Sequence, residues 1–164
     1  MKIYLIRHGI AESRAMEKND SQRILTRKGI TKTQKVAQKL TNLDIEFDVI
    51  ITSPYTRAKE TAIILQQAKR SLNIVEHSAL IPQGNILEWF NWLQTSPYKS
   101  AGNIALIGHE PDLSEWAQLL IWGKTEDKLI LKKAGIIGLE VADLSNPLGT
   151  AQLFLLASPK WISC

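Results

Sequence analysis

The feature that most constrains the fold of this chain is a short apolar run that stops abruptly at two polar side chains. Residues 3–6 read IYLI, and Arg7, His8 and Gly9 follow directly. An apolar run of this length before a glycine is typical of a strand buried on both faces of a sheet. Arginine and histidine are seldom core residues, so this strand is expected to deliver them to the edge of the sheet.

Two later segments of the chain have the same arrangement. Residues 48–52 and 103–107 are also apolar runs, and they are followed by Arg57 and His109 respectively. Each run precedes a stretch with helical spacing, which predicts parallel strands joined by helices. In open α/β sheets the carboxyl ends of parallel strands line one crevice, and ligands bind there. If the three strands are neighbours, the polar residues at their ends converge in that crevice.

The remaining pattern completes an α/β architecture. Residues 136–141 and 152–157 read as strands separated by the turn DLSNPLGT, which predicts an antiparallel hairpin. A short strand is expected at 73–75, and helical segments are expected at 26–43, 55–69, 86–94 and 110–122. The sequence thus predicts an α/β three-layer sandwich, in which a mostly parallel central sheet with an antiparallel edge strand carries helices on both faces.

Length and composition fit one domain that spans residues 1–164. The chain has 164 residues, of which 45% are hydrophobic, and this is enough for a sizeable core. Lysine and arginine total 20 against 16 aspartate and glutamate, which gives a formal net charge of +4 without a long basic block. This mild excess suits an anionic substrate, and it gives no reason to expect binding to nucleic acid.

Two features bear on the cellular location. No run in the sequence approaches the roughly 18 apolar residues of a transmembrane helix, and the first apolar run is too short for a signal-peptide core. The single cysteine, Cys164, leaves no internal disulfide and is consistent with a reducing compartment. We therefore expect a cytoplasmic protein that does not bind membranes.

A stripe of lysines marks one side of the first predicted helix. The stripe is formed by Lys28, Lys32, Lys35 and Lys39, which recur at helical spacing opposite an apolar side. We interpret this stripe as a solvated helix face, with an anion-binding surface as the alternative.

The residues at the strand ends favour phosphoryl chemistry. Arginine side chains are fork-shaped permanent cations that suit the oxygens of a phosphoryl group, and a cluster of cations opposes the binding of a metal ion. The sequence has only three histidines, no paired cysteines and no HExxH motif, so no metal site is predicted. A P-loop and a GxSxG elbow are also absent. The remaining chemistry is phosphoryl transfer with a histidine nucleophile and without a cofactor.

These motifs resemble those of a known family. The chain is similar to the histidine phosphatase superfamily, the phosphoglycerate-mutase-like proteins, through Arg7-His8-Gly9, Ser53-Pro54, Arg57-Ala58, Glu60-Thr61 and Gly108-His109. It resembles in particular the short SixA-type phosphohistidine phosphatases, through Leu25-Thr26, Gly29 and the stretch LIPQG at 80–84. The length of the chain leaves no room for a large cap insertion.

The resemblance implies a role for each matching residue. His8 would attack phosphorus and carry the phosphoryl group, and Arg7, Arg57 and His109 would hold its equatorial oxygens. Arg23 is a tentative further oxygen ligand, with a solvent-exposed arginine as the alternative.

The sequence does not identify a single residue as the general acid. Larger relatives use a carboxylic acid to protonate the leaving oxygen. Here Glu88 lies in the region where mutase-like relatives place an acid, and Glu110 follows His109 as an aspartate does in the acid-phosphatase branch. Glu12 is a third candidate, and a solvated surface carboxylate is the alternative for each.

The resemblance implies a phosphatase that removes phosphate from phosphohistidine on a signalling or phosphotransfer protein. Two other functions stay open. One is a broad phosphomonoesterase or mutase that acts on small molecules, and the other is a noncatalytic phosphate-recognition module that regulates a partner.

Overall fold

The strands and helices lie close to the segments that the sequence pattern predicts. The structure is a computed structural model, and it describes residues 1–13, 19–69 and 73–162, so Cys164 lies outside the described residues. The strands are β1 (Lys2–Arg7), β2 (Val49–Thr52), β3 (Asn73–Glu76), β4 (Asn103–Gly108), β5 (Ile136–Glu140) and β6 (Gln152–Ala157). The helices are α1 (Arg27–Asn42), α2 (Thr56–Lys69), α3 (Ile86–Thr95), α4 (Asp112–Trp122) and α5 (Pro159–Ile162). Among these strands and α-helices, the short α5 is the one without a counterpart in the sequence prediction; the sequence pattern also does not predict two 3-10 turns, Asp20–Gln22 and Ser78–Leu80.

The six strands form one sheet in the order β3-β2-β4-β1-β5-β6. The pairs β1–β4, β2–β4 and β2–β3 are parallel, whereas β5 runs antiparallel to both β1 and β6. The predicted mostly parallel sheet is therefore confirmed, and its antiparallel pairs lie at one edge. Because β1 and β2 flank β4, the carboxyl ends of all three strands are adjacent, as the sequence pattern required.

Alternating side chains of the strands build a core on each face of the sheet. In β1, Ile3 and Leu5 pack into one core, and Tyr4 and Ile6 pack into the other. The first core also holds buried residues of α3 and α4, and the second holds buried residues of α1 and α2. Helices thus cover both faces, which confirms the three-layer arrangement.

The start of α1 is fastened to the loop that follows His8. Thr26 caps the helix, since its Oγ1 accepts a hydrogen bond from the Gly29 N–H (3.0 Å) and donates one to the Ile10 carbonyl (3.2 Å). A Cβ atom on Gly29 would lie only 2.0 Å from the same carbonyl oxygen, so only glycine allows this close approach. The Thr26 and Gly29 positions therefore fix the loop on which the predicted nucleophile lies.

Within residues 1–13, 19–69 and 73–162, every helix is too short or too polar to span a lipid bilayer.

Candidate active site

The four principal site residues predicted from the sequence lie together at the carboxyl edge of the sheet. Arg7, His8, Arg57 and His109 line a cavity of about 230 Å³. The His8 and His109 rings have centroids 5.2 Å apart. The His8 N–H donates to the Gly108 carbonyl (3.1 Å), which continues the β1–β4 pairing past the strand ends. The parallel register therefore brings the two histidines side by side.

The His8 side chain is a neutral imidazole with a defined tautomer. Its Nδ1 lies 2.7 Å from the Gly9 carbonyl oxygen, which can only accept, so Nδ1 carries the hydrogen. Its Nε2 then has the lone pair and accepts a hydrogen bond from Arg57 Nε (3.2 Å). Burial lowers the pKa of His8 to about 3, and the charges of His109, Arg57 and Arg7 act in the same direction. A neutral imidazole with an unprotonated nitrogen is what a nucleophile requires.

The Arg57 guanidinium connects the two histidines to a loop. It lies in the first turn of α2 and is 3% exposed. Besides the bond to His8, one terminal nitrogen donates to the Asp20 carbonyl (2.7 Å), and the other contacts Asp20 Oδ2 (3.0 Å) and His109 Nδ1 (3.2 Å). Three nitrogens of one planar group thus engage three different partners, which only arginine can do.

His109 is also neutral among the groups of the protein. Because a guanidinium only donates, His109 Nδ1 accepts from Arg57, and Nε2 carries the hydrogen and donates to Ser53 Oγ (2.9 Å). Burial lowers the pKa of His109 to about 3, and the charge of Arg57 contributes further. A phosphoryl dianion in the cavity would act in the opposite direction and favour the protonated imidazole.

The hydroxyl group of Thr61 holds the nucleophile loop against α2. Thr61 Oγ1 donates to the Arg57 carbonyl (2.7 Å) and accepts from the Gly9 N–H (3.0 Å). The first turns of α2, from Arg57 to Thr61, therefore position both the Arg57 side chain and the backbone next to His8. The Glu60 carboxylate accepts from the Leu25 N–H (2.6 Å) and ties the same helix to the start of α1.

Arg7 lines the cavity with part of its hydrogen-bonding capacity unused. One terminal nitrogen donates to the Leu131 carbonyl (2.8 Å), whereas the buried Nε has no hydrogen-bond partner among the described residues. Buried donors in folded proteins are nearly always satisfied, so an unpaired one in a cavity wall points to a ligand oxygen.

The structure places Arg23 in the wall of the same cavity. Arg23 Nε and a terminal nitrogen both contact Asp20 Oδ1, at 2.9 and 2.7 Å, and the other terminal nitrogen donates to the Glu12 carbonyl (2.8 Å). Its side chain is only 16% exposed. Arg23 therefore lies next to the four principal residues rather than in open solvent.

The three carboxylates considered as general acids lie in different surroundings. Glu110 lines the cavity, where burial raises its pKa, and its carboxylate is hydrogen-bonded to the Ser114 hydroxyl. Glu88 is exposed on α3 and does not line the cavity, and Glu12 contributes its backbone carbonyl to Arg23. Of the three, Glu110 is the one that lines the cavity beside His8 in the described part of the chain.

Sequence reasoning missed two residues of the cavity, Asp20 and Lys133. The Asp20 carboxylate bridges Arg57 and Arg23. Its spacing of three residues from Arg23 was the available signal. Lys133 lies just before β5, and burial together with the charges of Arg7, Arg23 and Arg57 lowers its pKa. An antiparallel strand begins at the edge where its parallel neighbours end, so the predicted hairpin could have placed Lys133 here.

The site offers little to a metal ion. Within residues 1–13, 19–69 and 73–162, no three histidine, cysteine, aspartate or glutamate side chains are grouped so that they could hold one. Of the nine described residues that line the cavity, four are arginine or lysine and two are carboxylates, so the net positive charge attracts anions.

Comparison with known proteins gives consistent matches to one family. The family model described as histidine phosphatase superfamily (branch 1) matches residues 3–82. An uncharacterized protein of Picosynechococcus sp. is 42% identical over 163 residues, which cover 99% of each chain. The phosphohistidine phosphatase SixA of Escherichia coli (strain K12) is 26% identical over 115 residues, which cover 68% of each chain.

Solved structures share the fold over nearly the full length. The protein histidine phosphatase SixA complexed with tungstate has a TM-score of 0.83 at 23% identity, and the match covers 99% of each chain. The alpha-ribazole phosphatase from Shigella flexneri has a TM-score of 0.74 at 20% identity, with 97% of each chain covered. The motifs around His8 and Arg57 fall inside the matched residues 3–82. The chain therefore belongs to the histidine phosphatase superfamily.

Proposed function

We propose that this protein is a phosphatase that uses His8 as its nucleophile and removes phosphate from phosphohistidine on another protein. The observation that carries the proposal is the His8 imidazole, which is neutral and presents the Nε2 lone pair between cationic groups. Family membership supports the reaction class, and the likeness to the SixA protein supports the substrate.

The chemistry proceeds in two displacements at phosphorus. His8 Nε2 attacks the phosphoryl group, a new P–N bond forms, and the P–N bond to the substrate imidazole breaks. Water then attacks the phosphorus on His8, a P–O bond forms while the P–N bond breaks, the His8 imidazole regains its lone pair, and the water protons leave with the inorganic phosphate. Each step passes through a loose transition state in which charge develops on the oxygens and the leaving group.

The cations around His8 supply the electrostatic stabilisation for both displacements. Arg57 and His109 lie within hydrogen-bond reach of each other beside the nucleophile, and Arg7 has an unpaired Nε. We assign the oxygens of the phosphoryl group to these three side chains. Arg23 and Asp20 then hold Arg57 in place through their shared ion pairs. Arg57 Nε has to leave His8 Nε2 when the phosphoryl group binds, and the donors then lie in place before charge develops.

Leaving-group chemistry favours phosphohistidine over phosphoserine as the substrate. An imidazole leaving group has a conjugate acid with a pKa of about 6.5, whereas an alkoxide resembles hydroxide, whose parent water has a pKa of about 15.7. The gap of roughly nine units corresponds to about 12 kcal/mol in full at about 1.36 kcal/mol per unit. Even its partial expression exceeds a typical general-acid contribution of roughly 10²- to 10⁴-fold. A chain without a large cap would also leave the crevice open to a protein surface.

The specificity constants for the two kinds of substrate test this assignment. A histidine-phosphorylated phosphotransfer domain and a phosphoserine peptide are offered at equal concentration, and phosphate release from each is followed. We expect a kcat/KM for phosphohistidine at least about 10²-fold higher, because acid assistance is not limiting for it. A higher specificity constant for phosphoserine would overturn the substrate assignment and leave the histidine mechanism intact.

A phosphomonoesterase of small molecules is the second candidate, and Glu110 is the observation that favours it. A carboxyl group whose pKa is raised by burial can donate a proton to a leaving alkoxide. Small-molecule phosphatases are also among the proteins that share this fold. A noncatalytic recognition module is disfavoured because a neutral His8 is unnecessary for phosphate binding alone.

Replacement of Glu110 by glutamine should therefore separate the two classes of substrate. Glu110→Gln removes the acidic proton and keeps the shape, so hydrolysis of a phosphate monoester should fall roughly 10²-fold or more, whereas hydrolysis of phosphohistidine should fall less than tenfold. Steady-state assays on both substrates measure the split, with Glu88→Gln on the exposed face of α3 as the matched control. The Glu110 carboxylate also interacts electrostatically with Arg7. Equal losses on both substrates would show that Glu110 acts through Arg7 instead.

A further inference from the structure

A second cavity adjoins the active site. It has a volume of about 500 Å³ and lies between α1, α5 and the residues that precede β5. Arg7 and Lys133 line both this cavity and the one that contains His8. A group that binds in the second cavity would therefore lie directly beside a phosphoryl group at His8.

The second cavity is strongly basic. Of the eight described residues that line it, five are lysine or arginine and none is a carboxylate; the five are Arg7, Lys32, Lys132, Lys133 and Lys160. Some exposed lysines elsewhere pair with acids: Lys59 contacts Glu76 at 3.3 Å, and Lys124 contacts Glu126. Lys32 and Lys132 have no such partner in the described part of the chain. Within the described residues, no carboxylate lines this cavity, and no ion pair balances the charges of Lys32 and Lys132.

The positive charge continues along α1. A neighbouring open depression of the surface is lined by Lys28, Lys32 and Lys35, so Lys32 belongs to both. We call the combined region the basic surface, and we define it by Lys28, Lys32, Lys35, Lys132, Lys133 and Lys160. Three members of the lysine stripe predicted from the sequence therefore belong to a surface that leads to the active site.

The extent of the basic surface distinguishes among possible ligands. Lys28 and Lys35 are seven residues apart, which is about 10 Å along the axis of α1. A small substrate with its phosphoryl group at His8 is too short to contact Lys133 and also reach both Lys28 and Lys35. Lysine is a point charge on a flexible stem, whereas the fork of arginine suits a fixed phosphate. Scattered lysines therefore fit scattered carboxylates on a protein better than a second phosphate site.

We propose that the basic surface docks an acidic surface of the protein whose phosphohistidine enters the active site. The inference rests on the proposed function and adds a recognition element outside the catalytic residues. Complementary charges raise the rate of productive encounter by about 10- to 10³-fold, and salt weakens the effect. At about 0.15 M salt the screening length is about 8 Å, against about 30 Å at 0.01 M.

Charge reversal on the basic surface tests the proposal. Lys32→Glu and Lys132→Glu are each compared with Lys99→Glu. Lys99 is exposed and lies before β4, at the amino ends of the parallel strands and thus at the end of the sheet opposite the active site. Each protein is assayed at low and physiological salt. The substrates are an acidic phosphotransfer domain phosphorylated on histidine and the small probe phosphoramidate. Thermal melts check folding, and Lys32→Gln provides a milder variant.

We expect each charge reversal on the basic surface to lower kcat/KM for the phosphoprotein by about tenfold at low salt. The loss should be at least several times greater than the loss on phosphoramidate, and it should shrink at physiological salt. Lys32→Gln should show a smaller loss of the same kind, and Lys99→Glu should change both substrates by less than twofold.

Equal losses on the phosphoprotein and on phosphoramidate would overturn the docking proposal, as would equal losses in Lys32→Glu and Lys99→Glu. In either case phosphohistidine turnover by the unmodified protein would leave the proposed function standing. If the unmodified protein turned over phosphoramidate but no phosphohistidine protein, both the substrate assignment and the docking proposal would be wrong.

Discussion

Replacement of His8 by alanine is expected to lower turnover of every phosphorylated substrate by roughly 10⁴- to 10⁶-fold, because the variant has no nucleophile and the remaining cations only bind and polarise the phosphoryl group. Arg57 and His109 keep their contacts with Asp20 and Ser53, so oxyanion binding should survive. Single-turnover phosphate release with phosphohistidine protein and with phosphoramidate measures the loss.

The matched control for this variant is His77→Asn. His77 lies outside the cavity, where its Nδ1 accepts from the Ala79 N–H (3.1 Å) and its ring packs on Trp92. Asparagine can take over the capping hydrogen bond, so this variant should keep turnover within a few-fold of the parent. A folded His8→Ala protein with parental turnover would refute the nucleophile assignment.

The second large effect is expected from Arg57→Lys. Lysine keeps the positive charge, but one ammonium nitrogen cannot contact His8, His109 and Asp20 from three directions as the guanidinium does. We expect kcat to fall by about 10²- to 10³-fold, or about 2.7–4 kcal/mol, as for the loss of one oxyanion-hole donor. Steady-state kinetics with phosphoramidate give this value without any contribution from protein docking.

Arg27→Lys is the appropriate comparison, because Arg27 is an exposed arginine at the start of α1 and lies outside the active-site cavity. Its kinetics with phosphoramidate should match those of the parent. Parental kinetics in a folded Arg57→Lys variant would mean that Arg57 contributes only charge, and the fork geometry would have no catalytic role.

The sequence was most informative where chain direction and sheet topology act together. The apolar runs of β1 and β4 are buried on both faces, and parallel pairing places the residues after them at one edge. The sequence alone therefore predicts that His8 and His109 lie close together. Arg57 followed because a helix that begins just after β2 starts at the same edge.

The candidate acids show how helix orientation limits such reasoning. The position of Glu88 in the chain makes it a candidate acid, but Trp89, Phe90 and Leu93 are buried and turn their side of α3 toward the sheet. This leaves Glu88 exposed. Glu110, in contrast, directly follows His109 at the end of β4 and is therefore placed at the active site by that strand. The helical spacing of the apolar residues could have predicted the outward direction of Glu88.

Loop residues were the hardest to place. Asp20 reaches Arg57 across 37 positions in the chain through a loop, and no local pattern encodes that contact. The four-residue helix α5 is too short for a periodic signal, yet it forms one wall of the second cavity. Charge in a loop can be read from sequence, but its position depends on tertiary packing.

The position of the phosphoryl group on the enzyme shows directly whether His8 is the nucleophile. Turnover of phosphohistidine protein is quenched within milliseconds in base, where phosphohistidine is stable, and the modified peptide and isomer are identified by mass spectrometry and ³¹P NMR. Because Nδ1 of His8 is held by the Gly9 carbonyl, we expect phosphate on Nε2 of His8. Phosphate on Nδ1 of His8, or on any other residue, would contradict it.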